Sequence, residues 1–139
     1  MIDRENIVIK NELEEINVLT EKLHAFCVKH HILENFEHDI NLAVEEIVVN
    51  AITYGYSDEE KHNIVIKLKT VNSEICIIVE DDGNPFDPLT VESPDVHKKL
   101  EDRELGGYGI HFVKNIMDNL SYRRKDNKNI LSMTKKIQK

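Results

Sequence analysis

Apolar residues at helical spacing dominate the first third of the chain. Residues 11–31 have apolar side chains every three or four positions, which predicts an amphipathic helix with Asn11 as its N-cap. A second helix is predicted over residues 36–54, with Asn35 as its cap and Gly55 at its end. The pattern therefore places two helices before the main sheet.

Alternating apolar and polar residues predict the strands. Isoleucine and leucine alternate with valine and lysine in the first strong segment, and a β-branched run follows it across a turn at Asn72-Ser73. A terminal hairpin is predicted over Asp126-Asn127. The predicted strands are residues 6–10, 63–70, 74–80, 121–125 and 130–137.

A long irregular section separates these strands between residues 81 and 106. It holds all three prolines of the chain and the turn signals Asp82-Gly83 and Asn84-Pro85. Loops of this length are uncommon in small domains and often form a lid over a ligand. We therefore expect a functional loop here.

A third helix, predicted over residues 108–118, completes the elements. Together they predict an α/β fold, a two-layer sandwich with helices on one face of a mixed, mainly antiparallel sheet. A chain of 139 residues fits one domain, so we expect a single domain over residues 1–139. Such a sheet would leave a ligand between the helices and the lid.

The composition narrows the function. A net charge of −8 argues against direct nucleic-acid binding, because phosphate-binding surfaces are basic. No apolar run reaches the length that spans a bilayer, so we expect a cytoplasmic protein without a membrane partner. Cys27 and Cys76 stand alone in apolar segments, which predicts buried free thiols rather than a disulfide framework or a metal cluster.

The second predicted helix contains the first candidate functional residues. Glu46 and Asn50 lie one turn apart on the same helix face. A carboxylate and an amide oxygen so placed can serve one hard cation, or one can bind Mg²⁺ while the other orients a nucleophile. An ordinary solvent-facing pair has the same spacing, so this helix alone leaves both interpretations open.

The second candidate element lies where the strand at residues 74–80 ends. An acid at this position, Asp81, can accept a hydrogen bond from the exocyclic amine of a base, and Gly83 lets the backbone approach a ligand. A plain turn would use the same Asp-Gly and Asn-Pro dipeptides. Both interpretations stay open on these residues alone.

The third candidate element is a glycine-rich turn that leads into the third helix. Gly106, Gly107 and Gly109 leave backbone amides accessible at a helix N-terminus, where phosphate groups bind readily. A structural turn explains one such sequence equally well.

The order of these elements resembles the GHKL ATPases, whose domain has the histidine kinase-like, or Bergerat, fold. Within that superfamily, the Asn-Pro-Phe-Asp-Pro and Gly-Gly-Tyr-Gly-Ile-His-Phe-Val runs are similar to the anti-sigma-factor serine/threonine-protein kinases. The residues that match are Glu46 and Asn50 in the N box, Asp81, Gly83 and Pro85 in the first glycine box, and Gly107 and Gly109 in the second.

The resemblance implies a role for each matching residue. Glu46 would act as the general base, Asn50 would hold Mg²⁺, and Asp81 would receive the adenine amine of ATP or ADP. Gly83 would allow close approach of the nucleotide. The remaining implied nucleotide contacts are Pro85, Arg103, Gly106, Gly107, Tyr108 and Gly109.

The chain departs from the family pattern at three places. Leu105 stands where an arginine often precedes the glycine pair, and Arg103 is the nearest cation that could replace it. Tyr54 stands where a histidine often follows the N box, and Asn129-Ile130 where Gly-Thr is common. These departures predict an adenine pocket that is less complete than usual.

The resemblance implies a kinase that transfers the γ-phosphoryl group of ATP to a small anti-sigma-factor antagonist protein. It also implies that the protein sequesters a sigma factor or similar client and forms a homodimer. The alternative is a module in which the nucleotide only gates partner affinity, without transfer. The catalytic part of a histidine kinase is a third possibility, disfavoured because too few residues precede the second helix for a phosphoacceptor helix pair.

Overall fold

The computed structural model describes residues 3–90 and 107–137. None of the helices in this part combines the length and apolar character needed to cross a bilayer. Short 3-10 helices lie at Leu13–Glu15 and Pro88–Thr90. The main elements in chain order are β1 (Asp3–Lys10), α1 (Ile16–Lys29), α2 (Glu34–Tyr54), β2 (Asn63–Val71), β3 (Glu74–Asp81), α3 (Gly107–Ile116), β4 (Asn119–Lys125) and β5 (Lys128–Lys136).

Two tight hairpins set the register of the sheet. Asn72, Ser73, Asp126 and Asn127 have φ values between 49° and 65°, as the central residues of type I′ hairpin turns require. Both turns lie where the sequence predicts them. The strands are ordered β1-β2-β3-β5-β4, and every pairing among the described strands is antiparallel.

One face of the sheet is buried beneath the helices. The strand residues on that face alternate with exposed or half-buried neighbours, as the period of two predicts. The two-layer α/β fold is thus confirmed, with an antiparallel sheet in place of the mixed one that was expected. Fully buried residues of this core include Ile7, Ile66, Ile77 and Met133 from the strands and Leu23, Phe26, Ile40 and Val44 from the helices.

Both predicted N-caps, Asn11 and Asn35, are wrong. The side chain of Asn11 donates to the carbonyl of Glu60 at 3.3 Å and accepts from the backbone N–H of His62 at 2.8 Å. This long-range contact ties the end of β1 to the loop before β2. Asn35 lies inside α2, which begins one residue earlier, whereas Gly55 ends that helix as predicted.

The two cysteines differ in burial. Cys27 is fully buried, and this burial, together with the charge of Glu37, raises the pKa of its thiol to about 12. Cys76 is a free thiol as well but is only half-buried. The prediction of a buried thiol is therefore confirmed for Cys27 and wrong for Cys76.

Candidate functional site

A pocket lies between the C-terminal half of α2 and the adjoining ends of β3, β4 and β5. The space inside it, including the part open to solvent, is about 440 Å³. The apolar side chains in its wall include Ile47, Ala51, Val79, Phe86 and Leu131, and the polar ones are Asn50, Asp81, Asn84, Tyr122 and Asn129.

Asp81 is the last residue of β3, and it is 9% exposed. Its Oδ1 accepts hydrogen bonds from the backbone N–H of Gly83 and from the side-chain amide of Asn129, both at 2.9 Å. Within residues 3–90 and 107–137, Oδ2 of Asp81 accepts no hydrogen bond. A buried carboxylate oxygen that accepts no hydrogen bond from the protein is suited to a ligand that carries a hydrogen-bond donor.

Gly83 must be a glycine because the backbone of α2 approaches it closely. A Cβ atom at this position would lie 2.6 Å from the carbonyl oxygen of Gly55 and 3.0 Å from Oδ1 of Asp81. The same carbonyl accepts a hydrogen bond from the N–H of Asn84 at 2.6 Å. The loop after β3 is thereby fixed against the C-terminal end of α2.

Asn50 is a buried polar residue that faces the pocket. It is 8% exposed, and it lies one turn after Ile47 and Glu46 on α2. Across the described ranges its side chain has no hydrogen-bond partner. Because buried amides are nearly always bonded, this one is suited to a ligand or a cation.

Glu46 contacts Gly109, a residue of the predicted second glycine box. It is half-buried on α2, and its carboxylate lies against Gly109 in the first turn of α3. A Cβ atom at Gly109 would overlap Oε2 of Glu46 and would come within 2.6 Å of its Cδ. The structure therefore brings together two residues that are 63 positions apart in the sequence.

Of the remaining predicted site residues, some lie in the described part of the chain and the others lie outside it. Pro85 lies between Asn84 and Phe86, which both line the pocket, but it is not itself in the lining. Gly107 begins α3, with Tyr108 next to it. Arg103, Leu105, Gly106 and most of the predicted lid lie outside the described residues.

Two pocket residues, Asn129 and Tyr122, were not predicted as functional. In the sequence Asn129 is only a departure from the family pattern, yet in the structure it is 7% exposed and its amide contacts Asp81. Tyr122 donates its hydroxyl hydrogen to Oδ1 of Asn129. The sequence pattern could have indicated Asn129. Side chains two positions apart lie on the same face of a strand, so Asn129 shares its face of β5 with the buried Leu131 and Met133. A polar residue at such an inward position is a candidate for a functional role.

A charged cluster lies beside Asp81, where His62 and Asp82 line a second cavity together with that residue. His62 lies between two carboxylates, with Nδ1 3.1 Å from Asp82 and Nε2 2.9 Å from Asp58. Hydrogen bonds to Asp82 and Asp58 raise the pKa of His62, and the hydrogen bond to His62 lowers the pKa of Asp58. Partial burial acts to raise the pKa of Asp82, but the interactions with His62 outweigh it and lower that pKa.

The sequence model for the Histidine kinase-like ATPase domain matches residues 9–135 of this chain. The chain belongs to this family. The match spans the residues of the pocket and the helices that carry Glu46, Asn50 and Gly109.

Curated relatives of this histidine kinase-like ATPase domain are named as anti-sigma factors or as serine/threonine-protein kinases. An anti-sigma F factor of Clostridium perfringens is 33% identical over 100 residues, which are 71% of this chain and 71% of the relative. The serine/threonine-protein kinase BtrW of Bordetella bronchiseptica is 27% identical over 68% of this chain and 67% of the relative. The serine-protein kinase RsbW of Staphylococcus aureus is 29% identical over 73% of this chain and 66% of the relative.

A solved structure shares the fold. It contains the RsbU and RsbW domains of a Mycobacterium tuberculosis protein, and it matches 97% of this chain with a TM-score of 0.69. The sequence identity is 14%, and this chain spans about a third (32%) of the length of that one. The match supports the fold of the domain.

Proposed function

We propose that this domain is an ATP-dependent serine/threonine-protein kinase of the anti-sigma-factor type. The observation that carries the proposal is the set of unsatisfied polar groups in one pocket. Asp81 and Asn50 are buried residues of its lining, and neither Oδ2 of Asp81 nor the side-chain amide of Asn50 has a hydrogen-bond partner in the described part of the chain. Together with apolar walls, they fit a nucleotide whose base and metal-bound phosphates need these contacts.

Asp81 is proposed to recognise the adenine base. Its Oδ2 is an acceptor at the end of a central strand, and the 6-amino group of adenine is a donor. Ile47, Val79 and Leu131 line the same pocket with apolar surface that suits the flat ring. Gly83, which has no side chain, lets the loop after β3 pack against the backbone carbonyl of Gly55 beside Asp81.

Asn50 is the proposed ligand for Mg²⁺. Its side chain is buried, faces the pocket and has an oxygen of the type that hard cations prefer. The residues present therefore fit the metal. When bound, Mg²⁺ would neutralise charge on the phosphates, which is a large part of phosphoryl-transfer catalysis.

Glu46 is the proposed general base. It lies one turn before Asn50 and against Gly109, so its carboxylate is held between the N-box helix and the first turn of α3. Amides at the start of that helix are proposed to bind the phosphates, with Gly106, Gly107, Tyr108 and Gly109 as contributors. A hydroxyl group that attacks the γ-phosphate there would lose its proton to Glu46.

The proposed partners rest on the family resemblance and, for the sigma factor, on the name of a relative, anti-sigma F factor. We propose a small antagonist protein as the substrate, a sigma factor or similar regulator as the client, and a homodimer as the working assembly.

We further propose that residues 1–139 form a single domain that acts in the cytoplasm. Arg103 is proposed to contact the terminal phosphate in place of the arginine that Leu105 replaces.

The test is phosphorylation of a candidate antagonist protein. The unaltered chain is incubated with labelled ATP, Mg²⁺ and antagonist proteins encoded near it, and the products are searched for phosphoserine. Transfer is expected with the unaltered chain and not with Asp81→Asn, which serves as the nucleotide-binding control. If ATP changes partner affinity while no protein is phosphorylated, the chain is a nucleotide-gated binding module and the kinase proposal fails.

A further inference from the structure

Asn129 faces Asp81 across the sheet. The two residues are direct partners in the β3–β5 register, and both are at least nine-tenths buried. A buried amide beside a buried carboxylate has to present its N–H₂ group, because the carboxylate offers acceptors only. The Nδ2 atom of Asn129 does so, at 2.9 Å from Oδ1 of Asp81.

The other contacts of Asn129 hold the amide in that orientation. Nδ2 also donates to the carbonyl of Asn84 at 2.9 Å, while Oδ1 accepts from the N–H of Phe86 at 3.3 Å and from the hydroxyl of Tyr122. An asparagine side chain has two donors and two acceptor sites, and here all four are used. A flipped amide would place its oxygen against Asp81 and Asn84, so one orientation is strongly preferred.

This orientation determines which oxygen of Asp81 remains for a ligand. Oδ1 already accepts from Asn129 and from the N–H of Gly83, both at 2.9 Å. Two donors on one oxygen fix the plane of the carboxylate and leave Oδ2 as the acceptor toward a ligand. An acceptor fixed in this way favours a purine with a 6-amino group and disfavours one with a 6-oxo group, because two acceptors would then face each other.

We propose that Asn129 is a positioning residue that sets the base specificity of the site by orienting Asp81. The proposal rests on the ATP site described above and deepens it. Asn129 does not touch the nucleotide in this account, and it acts through the carboxylate. Its second donor bond, to Asn84, fixes the loop after β3 against the same carboxylate.

The test compares two variants that differ by one hydroxyl group. Asn129→Thr keeps a donor for Oδ1 of Asp81, whereas Asn129→Val has nearly the same shape and none. Calorimetry gives the dissociation constants of ADP and of inosine diphosphate, which has a 6-oxo group, for each variant and for the unaltered chain. The preference for ADP is expected to survive in Asn129→Thr and to fall by about tenfold or more in Asn129→Val, as expected for a lost hydrogen bond to a charged group.

A purely structural role for Asn129 gives a different result. Both variants would then lose affinity for the two nucleotides to the same extent, and the ratio would not change. That outcome overturns the inference while leaving the kinase proposal intact. An unaltered chain that binds neither nucleotide overturns both.

A third variant keeps the inference testable if Asn129→Val does not fold. Asn129→Asp places a second carboxylate beside Asp81, and two such groups share a proton at low pH and repel each other at high pH. The affinity for ADP is expected to fall by about tenfold or more between pH 5.5 and pH 8 in this variant, relative to the unaltered chain. A parallel pH dependence in the two proteins contradicts the positioning role.

Discussion

Gly109→Ala is expected to slow phosphoryl transfer by about 10²-fold or more while leaving the fold and the adenine pocket in place. The added Cβ would overlap Oε2 of Glu46 and would lie 2.6 Å from its Cδ and 3.3 Å from its Cγ. Carbon atoms in contact prefer about 3.5–4.0 Å, so the carboxylate has to move by roughly 1 Å. The atoms in the way belong to the end of a flexible side chain, so a new rotamer of Glu46 removes the overlap without backbone movement.

The size of the effect follows from what Glu46 is proposed to do. A displacement of about 1 Å of a positioned catalytic group costs roughly 10²-fold in rate, and full loss of general-base assistance costs about 10²–10⁴-fold. Stability should change little, since alanine is favoured over glycine inside helices by about 1 kcal/mol and offsets the residual strain.

The assay is single-turnover transfer from labelled ATP to the antagonist protein, beside calorimetry with ADP. A rate at least about 10²-fold lower with unchanged ADP affinity is the expected result. The double variant Gly109→Ala with Glu46→Gln should be no slower than Glu46→Gln alone, because both changes remove the same group. Full transfer activity in Gly109→Ala would refute the placement of the base against the second glycine box.

Three further predictions follow from the same geometry. ADP at a hundredfold excess over its dissociation constant should stabilise the unaltered chain by about 2.7 kcal/mol, and Asp81→Asn should lose most of this gain; equal ADP-induced stabilisation in both proteins would show that Asp81 does not bind the base. Gly83→Ala should destabilise the loop after β3 and weaken ADP binding, because the added Cβ meets the backbone carbonyl of Gly55 at 2.6 Å; a variant with unaltered melting temperature and ADP affinity would contradict this. His62→Gln should lower the melting temperature more at pH 6 than at pH 9. Hydrogen bonds to Asp82 and Asp58 raise the pKa of His62 in the folded protein. The charged imidazole therefore stabilises the fold below the unfolded pKa of about 6.5, and this stabilisation is lost as the pH rises through the folded pKa. An equal loss at both pH values would rule out a charged His62 as the cause.

Hydrophobic periodicity predicted the helices and strands well, because one buried face repeats regularly along each of them. The two hairpin turns were also predictable, since Asn72-Ser73 and Asp126-Asn127 are residues that tolerate positive φ. The N-cap at Asn11 was not, because its side chain bonds to a loop about fifty residues away in the chain. A local rule for capping has no information about such a partner.

The site was predictable in part for a similar reason. Local spacing placed Glu46 and Asn50 on one helix face, and the resemblance to a family assigned their roles. The contact of Glu46 with Gly109 depends on how α2 packs against α3, and the contact of Asn129 with Asp81 depends on the β3–β5 register. Neither packing nor register can be derived from residue types alone, so Asn129 was noted only as a departure from the pattern.

The most direct test of the kinase account is the transfer rate of Glu46→Gln at saturating ATP and Mg²⁺. Glutamine keeps the shape of the side chain but cannot accept the proton of an attacking hydroxyl group. Glu45→Gln is the matched control, because Glu45 is the adjacent half-buried glutamate on the same helix. Both variants are expected to bind ATP like the unaltered chain, Glu45→Gln is expected to transfer normally, and Glu46→Gln is expected to be slower by about 10²–10⁴-fold. An undiminished rate in Glu46→Gln would contradict the kinase account.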